Sequence, residues 1–167
     1  EAIAQVGHWR YRVADGDIQW SDELYRIFGL APQSRQISYD WLLDHVHPED
    51  REQHDSYLAR LLASGPGEPA GELLYRLIRP EGEERTVRVR VQVERDDSGK
   101  PVALFGILQD VTERVSEEAE LKRLHSTLNA LVEGSTDAIF VKDAEGRYII
   151  GNHGLADLLG RPMAEIL

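Results

Sequence analysis

His45, His47, Asp50 and His54 fall within ten residues of one another. Imidazole and carboxylate are ordinary ligands of a divalent metal, and Asp50 and His54, spaced i, i+4, would share one helix face. Two ligands do not make a site, and nothing assures the third. The competing reading is that Pro48 takes the first helical position and these residues simply begin a helix. That reading is preferred, and no metal is expected. Asp15 with Asp17, and Asp96 with Asp97, flank Gly16 and Gly99 and read as turn residues, since nothing else converges on them. There is no phosphate-cradling glycine loop, no HExxH and no GxSxG. The chain has 167 residues and no cysteine, which excludes disulfides, thiolate metal sites, a cysteine nucleophile and a flavin–cysteinyl adduct. No enzyme activity is expected of it.

The charge balance narrows the partners. At −11, the chain would be repelled by nucleic acid and by anionic membrane surfaces, so neither is expected as a partner. Hydrophobic residues at 41 % and charged residues at 29 % suit a soluble globular chain. No apolar run approaches the roughly 18 residues of a membrane span. The lack of cysteine fits a reducing compartment, and the expected location is cytoplasmic. Glu1-Ala2-Ile3 has neither a basic segment nor an initiator Met, so the chain reads as a piece of a longer protein.

The residues above need elements to hold them. Ile3 and Val6 predict a short helical turn stopped at Gly7. "HWRYRVADGDIQW" (8–20) alternates around Asp15-Gly16, a hairpin signal because glycine tolerates the positive φ of a tight turn. Ser21 is placed to cap a helix with Leu24, Ile27 and Phe28 on its buried stripe and Gly29 at its end. Helices are predicted over 38–43 and 48–64, broken by "SGPGEPAG" (64–71). Strands follow over 72–79, 83–94 and 101–111. Val87, Val89, Val91 and Val93 alternate with Arg88, Arg90 and Gln92, so one face is buried and one is wet. Strands on both sides of a helical middle predict an α+β fold, an antiparallel sheet with helices on one face, in which the first and last strands could be neighbours. Trp9, Trp20, Tyr25, Phe28, Trp41, Tyr57, Tyr75 and Phe105 are expected mostly in the core, with a few lining a pocket.

The pattern then recurs. "DAEGRYIIGNHGLADLLGR" (143–161) repeats "VADGDIQWSDELYRIFGL" (13–30): an acidic-Gly turn, a strand, a polar cap (Ser21; Asn152) and a leucine-striped helix ending in glycine. Leu24 corresponds to Leu155, Phe28 to Leu159 and Gly29 to Gly160. The offset is 131 after the turn and one less before it, so one residue is inserted.

"GHWRYRV…G.IQWSDELYRIFGL", "HVHPEDRE", "YRLIRPEGEERTVRVRV" and "GILQDVTER" together resemble a PAS domain, over residues 1 to about 114. "LVEGSTDAIFVKDAEGRYIIGNHGLADLLG" resembles the N-terminal half of a second one. The resemblance implies a five-stranded antiparallel sheet with short helices on one face, followed by a C-terminal signalling helix. The expected organisation is a PAS domain over 1–112, a linker helix over 113–133 and a truncated second PAS domain over 134–167. It implies a sensory or relay module of a bacterial signalling protein, a sensor histidine kinase or a diguanylate cyclase, with its output domain downstream in the same chain. "VHPED" resembles the helix-entry motif common in the family. "HDSYLARLLASG" (54–65) resembles the helix of heme-binding oxygen sensors, which would make His54 an axial iron ligand; heme is the minority alternative to no cofactor.

Asp110, Thr112, Glu113 and Arg114 match the family's strand-to-helix junction, where the Asp is expected to bond back to the domain. Thr112 is placed to N-cap the linker helix. Beyond it Leu121, Leu124, Leu128 and Leu131, spaced 3, 4 and 3, form an a/d seam that predicts a homodimer. Val111, Val115 and Ala119 make a second stripe out of phase with the seam, which implies a change of register. A small-molecule ligand moving the sheet would act through Asp110-Val111-Thr112. A structural dimerisation module without a ligand is the remaining alternative, and an internal cavity beside the helices would argue against it.

Overall fold

The valine alternation becomes the inner face of β4 (Glu84–Arg95), with Val87, Val89 and Val91 buried and Val93 packed against them. Arg90 and Gln92 between them are exposed, as a period of two requires. β4 pairs antiparallel with β3 (Glu72–Ile78) on one side and with β5 (Pro101–Asp110) on the other. β5 also pairs along its length with β1 (Val6–Arg12), and β1 with β2 (Ile18–Trp20). The sheet order is therefore β2-β1-β5-β4-β3, and the first and last strands are neighbours. The computed structural model describes residues 6–65 and 71–167. They form two compact units, the first ending at Val115 and the second beginning at Ser116.

Val6 corrects one expectation. It begins β1 rather than sitting in a helical turn, because its backbone pairs with Gln109; Ile3 lies outside the described residues. Asp15-Gly16 does close the β1–β2 hairpin, with Gly16 at φ 72°. Ser21 then caps α1 (Asp22–Ile27) as expected. Its Oγ accepts from Leu24 N at 3.4 Å and from His8 N at 3.0 Å, so one hydroxyl ties the helix start to β1. The helix lies so close to β1 that a Cβ on Gly7 would fall 2.7 Å from the Leu24 backbone. Ser38 caps α2 (Tyr39–His45) in the same way, accepting from Trp41 N at 3.2 Å. The single helix expected from Pro48 is divided: Pro48–Asp50 is a 3-10 turn, and α3 (Arg51–Ala63) follows it. Most of the "SGPGEPAG" break lies outside the described residues. Leu24, Ile27, Phe28, Val46, Leu77, Val87 and Val91 are fully buried between sheet and helices. No helix among the described residues is long and apolar enough to cross a membrane.

β5 runs without a break into α4 (Thr112–Glu133). The second unit holds most of α4, the hairpin of β6 (Phe140–Lys142) and β7 (Tyr148–Gly151), and the short helices α5 (His153–Leu159) and α6 (Met163–Ile166). It reproduces the β1–β2–α1 geometry. His8 donates to and accepts from Ser21, and Ile139, at an offset of 131, does the same with Asn152. Trp9 pairs with Trp20, and Phe140 with Gly151, at that same offset. The inserted residue is thereby located. The second turn is one residue shorter, and the register shift in β6–β7 leaves Ile149 as the extra residue that restores the offset.

Asn152 is completely buried and fully used. Its Oδ1 accepts from Ile139 N at 2.8 Å and Leu155 N at 3.1 Å, and its Nδ2 donates to Val132 O at 2.8 Å and Asp137 O at 2.9 Å. One amide thus ties the end of α4, the entry to β6 and the start of α5. Asn152→Ala removes all of these side-chain bonds, and is expected to destabilise the second unit by about 2–4 kcal/mol in urea unfolding, more than the loss of an ordinary exposed cap.

Candidate functional site

A cavity of about 360 Å³ lies inside the first unit, between the inner face of the sheet and the helices. Trp9 and Tyr11 of β1, Trp20 of β2, Leu24 and Phe28 of α1, and Tyr75 of β3 contribute to its walls, and α3 closes it with a face that includes His54, Tyr57, Leu58 and Leu62. Alternation of strand residues brings the sheet contributors together, because Trp9 and Tyr11 are two apart on one face. Gly106 opposite Trp9 is necessary: a Cβ there would collide with the indole ring. Of the aromatic residues expected to line a pocket or fill the core, Trp9, Trp20, Phe28, Tyr57 and Tyr75 line the cavity. Tyr25 and Trp41 pack behind Trp20. Phe105 departs from the expectation: it is 37 % exposed on the other face of the sheet, beside His8. Tyr11 and Tyr39, which the sequence did not single out, are lining residues.

His54 is the polar focus of this wall. It is 5 % exposed, and its Nδ1 has no hydrogen-bond partner among the described residues. Asp55 Oδ1 stands 3.5 Å from Nδ1 and accepts from the Tyr39 hydroxyl at 2.7 Å. The Tyr75 ring meets the imidazole edge-on at 5.2 Å. Burial holds the His54 pKa below its usual value, so the imidazole is neutral at pH 7. Burial, with Asp55 alongside, pushes the Tyr39 phenol up, and burial does the same to Tyr75. A carboxylate beside Nδ1 would suit an axial imidazole. A heme also carries two propionates, yet among the described residues no Arg or Lys lines the cavity and Asp55 is the one carboxylate that does. A volume of about 360 Å³ is also near the small end of the ~300–1,000 Å³ range of ligand sites. The residues present do not fit heme.

The other members of the His/Asp cluster are separated. Asp50 faces Arg76, whose guanidinium donates to its two oxygens at 2.7 and 3.0 Å and whose backbone N donates at 2.7 Å. His45 stacks on Trp41 at 3.9 Å, and its Nδ1 contacts Trp41 O at 2.8 Å. His47 accepts from Glu49 N at 3.3 Å and caps the 3-10 turn, the role expected of a helix entry. Among the described residues no group of three His, Asp or Glu could hold a metal.

The junction bonds back to the sheet. Asp110 Oδ1 accepts from Thr112 N at 2.9 Å and from the Thr112 hydroxyl at 2.6 Å. Thr112 Oγ1 in turn accepts from Thr86 N of β4 at 2.9 Å. Thr112 is thus the first helical residue rather than the cap outside it, and Val111 O accepts the first helical bond, from Val115 N. Asp110 Oδ2 is buried, without a hydrogen bond, 3.6 Å from Arg85. Arg85 is shared, for it also donates to Glu83 at 2.6 Å. Glu83 accepts from Arg79, and Arg79 donates to Ile27 O at 2.9 Å and Arg26 O at 3.3 Å, at the C-terminus of α1. A chain of charged contacts therefore runs from α1, whose Leu24 and Phe28 line the cavity, to the base of α4. Arg79, Glu83 and Arg85 carried no sequence signal, since a charged turn between two strands reads as solvated. Further along α4, Leu121, Leu124, Leu128 and Leu131 are 47–70 % exposed. Glu113 and Arg114 are exposed in its first turn.

Residues 17–108 match a family model described as PAS fold. The chain is 28 % identical over 141 residues to the sensor protein FixL of Bradyrhizobium diazoefficiens, an alignment covering 84 % of this chain and 27 % of that protein. It is 36 % identical over 118 residues to a blue-light-activated histidine kinase of Brucella anthropi, covering 71 % of this chain and 23 % of the kinase. The chain thus spans about a quarter of the length of these curated relatives. A solved sensory box histidine kinase/response regulator from Burkholderia thailandensis superposes with a TM-score of 0.61 at 24 % identity, over 75 % of this chain and 91 % of that one. At that identity the likeness concerns the fold.

Arg76 holds the Asp50 carboxyl below the usual carboxylate range through its hydrogen bonds. A depressed folded pKa stabilises above the unfolded value of about 3.9 and is lost as pH falls through the folded value. Wild-type protein is expected to lose part of its stability below about pH 4 for this reason. Asp50→Asn should cost about 1.5–3 kcal/mol at pH 7 and flatten the acid limb, as read by urea unfolding across pH.

Proposed function

This chain belongs to the PAS fold family, and on that premise we propose that it is a sensory or relay module of a bacterial signal-transduction protein, a sensor histidine kinase or a diguanylate cyclase, acting in the cytoplasm. The observation that carries the reading is the cavity of about 360 Å³ walled by apolar and aromatic side chains. A buried space of this kind is what a ligand-free structural module would lack. The chain contributes no catalytic step on this reading, and the output belongs to a domain elsewhere in the protein. The blue-light-activated kinases are relatives, but with no cysteine in this chain a flavin–cysteinyl adduct cannot form on its own residues.

Occupancy of the cavity shifts α1 against the sheet, because Leu24 and Phe28 form part of the wall. Arg79 follows the end of α1, and Glu83 and Arg85 pass the displacement to Asp110. The slack Arg85–Asp110 contact gives the junction two arrangements, one with Arg85 on Glu83 and one with it drawn onto Asp110. A ligand biases them only by binding one better than the other. The first turn of α4, tied to Asp110 and Thr86 through Thr112, responds. The second unit is the N-terminal half of another PAS domain, and the exposed leucines of α4 pair with those of a second copy.

Two measurements test this. Arg85→Gln is expected to speed amide exchange about tenfold, the equivalent of one lost hydrogen bond, both at the end of α1 and in residues 112–115. Acceleration confined to the 79–85 turn would reject the relay. Leu124→Cys and Leu128→Cys place one thiol in a cysteine-free chain. Symmetric disulfides should form at both positions on oxidation of the intact protein, and monomer at both would sink the paired helix.

A further inference from the structure

We infer that the cavity selects an uncharged ring compound bearing one hydrogen-bond donor, of the indole or phenol class, and that the donor is received by His54. This rests on reading the cavity as a ligand site and adds the chemistry of its occupant.

Charge is excluded first. Among the described residues no Arg or Lys lines the walls, so an anion would enter without a counter-charge and beside the Asp55 carboxylate. Asp55 does not serve a cation inside either. Its side chain is 52 % exposed, and its Oδ1 already accepts from Tyr39. It stands at the rim, while a cation in the interior would have to shed its water against apolar walls.

Shape comes next. A space of about 360 Å³ equals roughly 12 water volumes, room for one or two fused rings. Trp9, seated over Gly106, gives a flat wall, and Trp20 with Phe28 at 4.5 Å gives another aromatic surface. Planar rings gain from offset or edge-on contact with such walls.

The polar requirement comes from His54. The carboxylate 3.5 Å from Nδ1 is too distant for a hydrogen bond in this geometry but near enough to favour a proton there. A neutral imidazole protonated at Nδ1 leaves Nε2 as its acceptor. Tyr75 meets the imidazole edge-on at 5.2 Å, and the Tyr39 ring lies tilted 6.3 Å from it. An imidazole acceptor in an apolar wall discriminates for donors, because a ligand without one leaves it unpaired.

Calorimetry and thermal unfolding of the purified chain with indole, benzofuran, benzoate and benzene test this. Indole and benzofuran have the same shape, but only indole donates. Indole is expected to bind about 3- to 10-fold more tightly than benzofuran, benzoate not at all, and benzene weakly. His54→Phe should erase the preference for indole while benzene still binds. If that variant fails to fold, the wild-type series decides alone. Equal binding of indole and benzofuran, or binding of benzoate to match indole, overturns the donor class and leaves the ligand-site reading standing. Failure of all four, benzene included, overturns both.

Discussion

The pairing of β5 with β1 on one side and β4 on the other is the constraint that the rest of the structure depends on. It brings the first strand beside the last, so that Trp9 and Tyr11 join the same inner face as Val89, Val91, Leu104 and Leu108. It also makes the strand at the centre of the sheet the one that continues into α4. The walls of the cavity and the base of the outgoing helix are consequently parts of one hydrogen-bonded ladder. A sheet in which β5 lay at the edge would hold the helix no less firmly, but would separate it from the cavity.

The helices are attached to this ladder at few points, each with a chemical reason. Ser21 binds both α1 and β1 through a single hydroxyl. Asp50 neutralises Arg76 and so anchors the start of α3 to β3. Tyr57 donates to Gly71 O at 2.6 Å and fixes the other side of α3. Between these attachments the helical layer spans the cavity instead of filling it. Packing of this kind forgoes contacts that a filled core would make.

Polar groups left without partners cluster where function is proposed. His54 Nδ1, Arg85 Nε and Asp110 Oδ2 are the buried side-chain atoms lacking a hydrogen bond among the described residues. One belongs to the cavity wall and two to the junction. Buried polar groups are ordinarily satisfied because orphaning them costs free energy. Their concentration at these two places is what the proposed ligand site and junction would draw on.

Much of this was legible in the residues. Period-two valines announced β4, Ser21 and Asn152 announced helix starts, and Asp15-Gly16 announced a hairpin, because turns, caps and alternation are local and their chemistry acts over a few residues. The repeat between the two units was legible for the same reason, although only the pairing register showed that Ile149 is the added residue. Val6 misled, since its neighbours do not reveal that Gln109 pairs with it. His54 was singled out, but its role depends on Asp55, Tyr39 and Tyr75, which converge only after α3 folds over β3. The chain of contacts through Arg79, Glu83 and Arg85 was invisible, because a charged turn gains its partners from α1 and Asp110, distant in sequence. The sequence by itself determined most strands, helices and turns, those whose signals are local. Tertiary structure alone decided what those segments enclose and which charges face one another, since cavities and ion pairs arise from residues that chain order keeps apart.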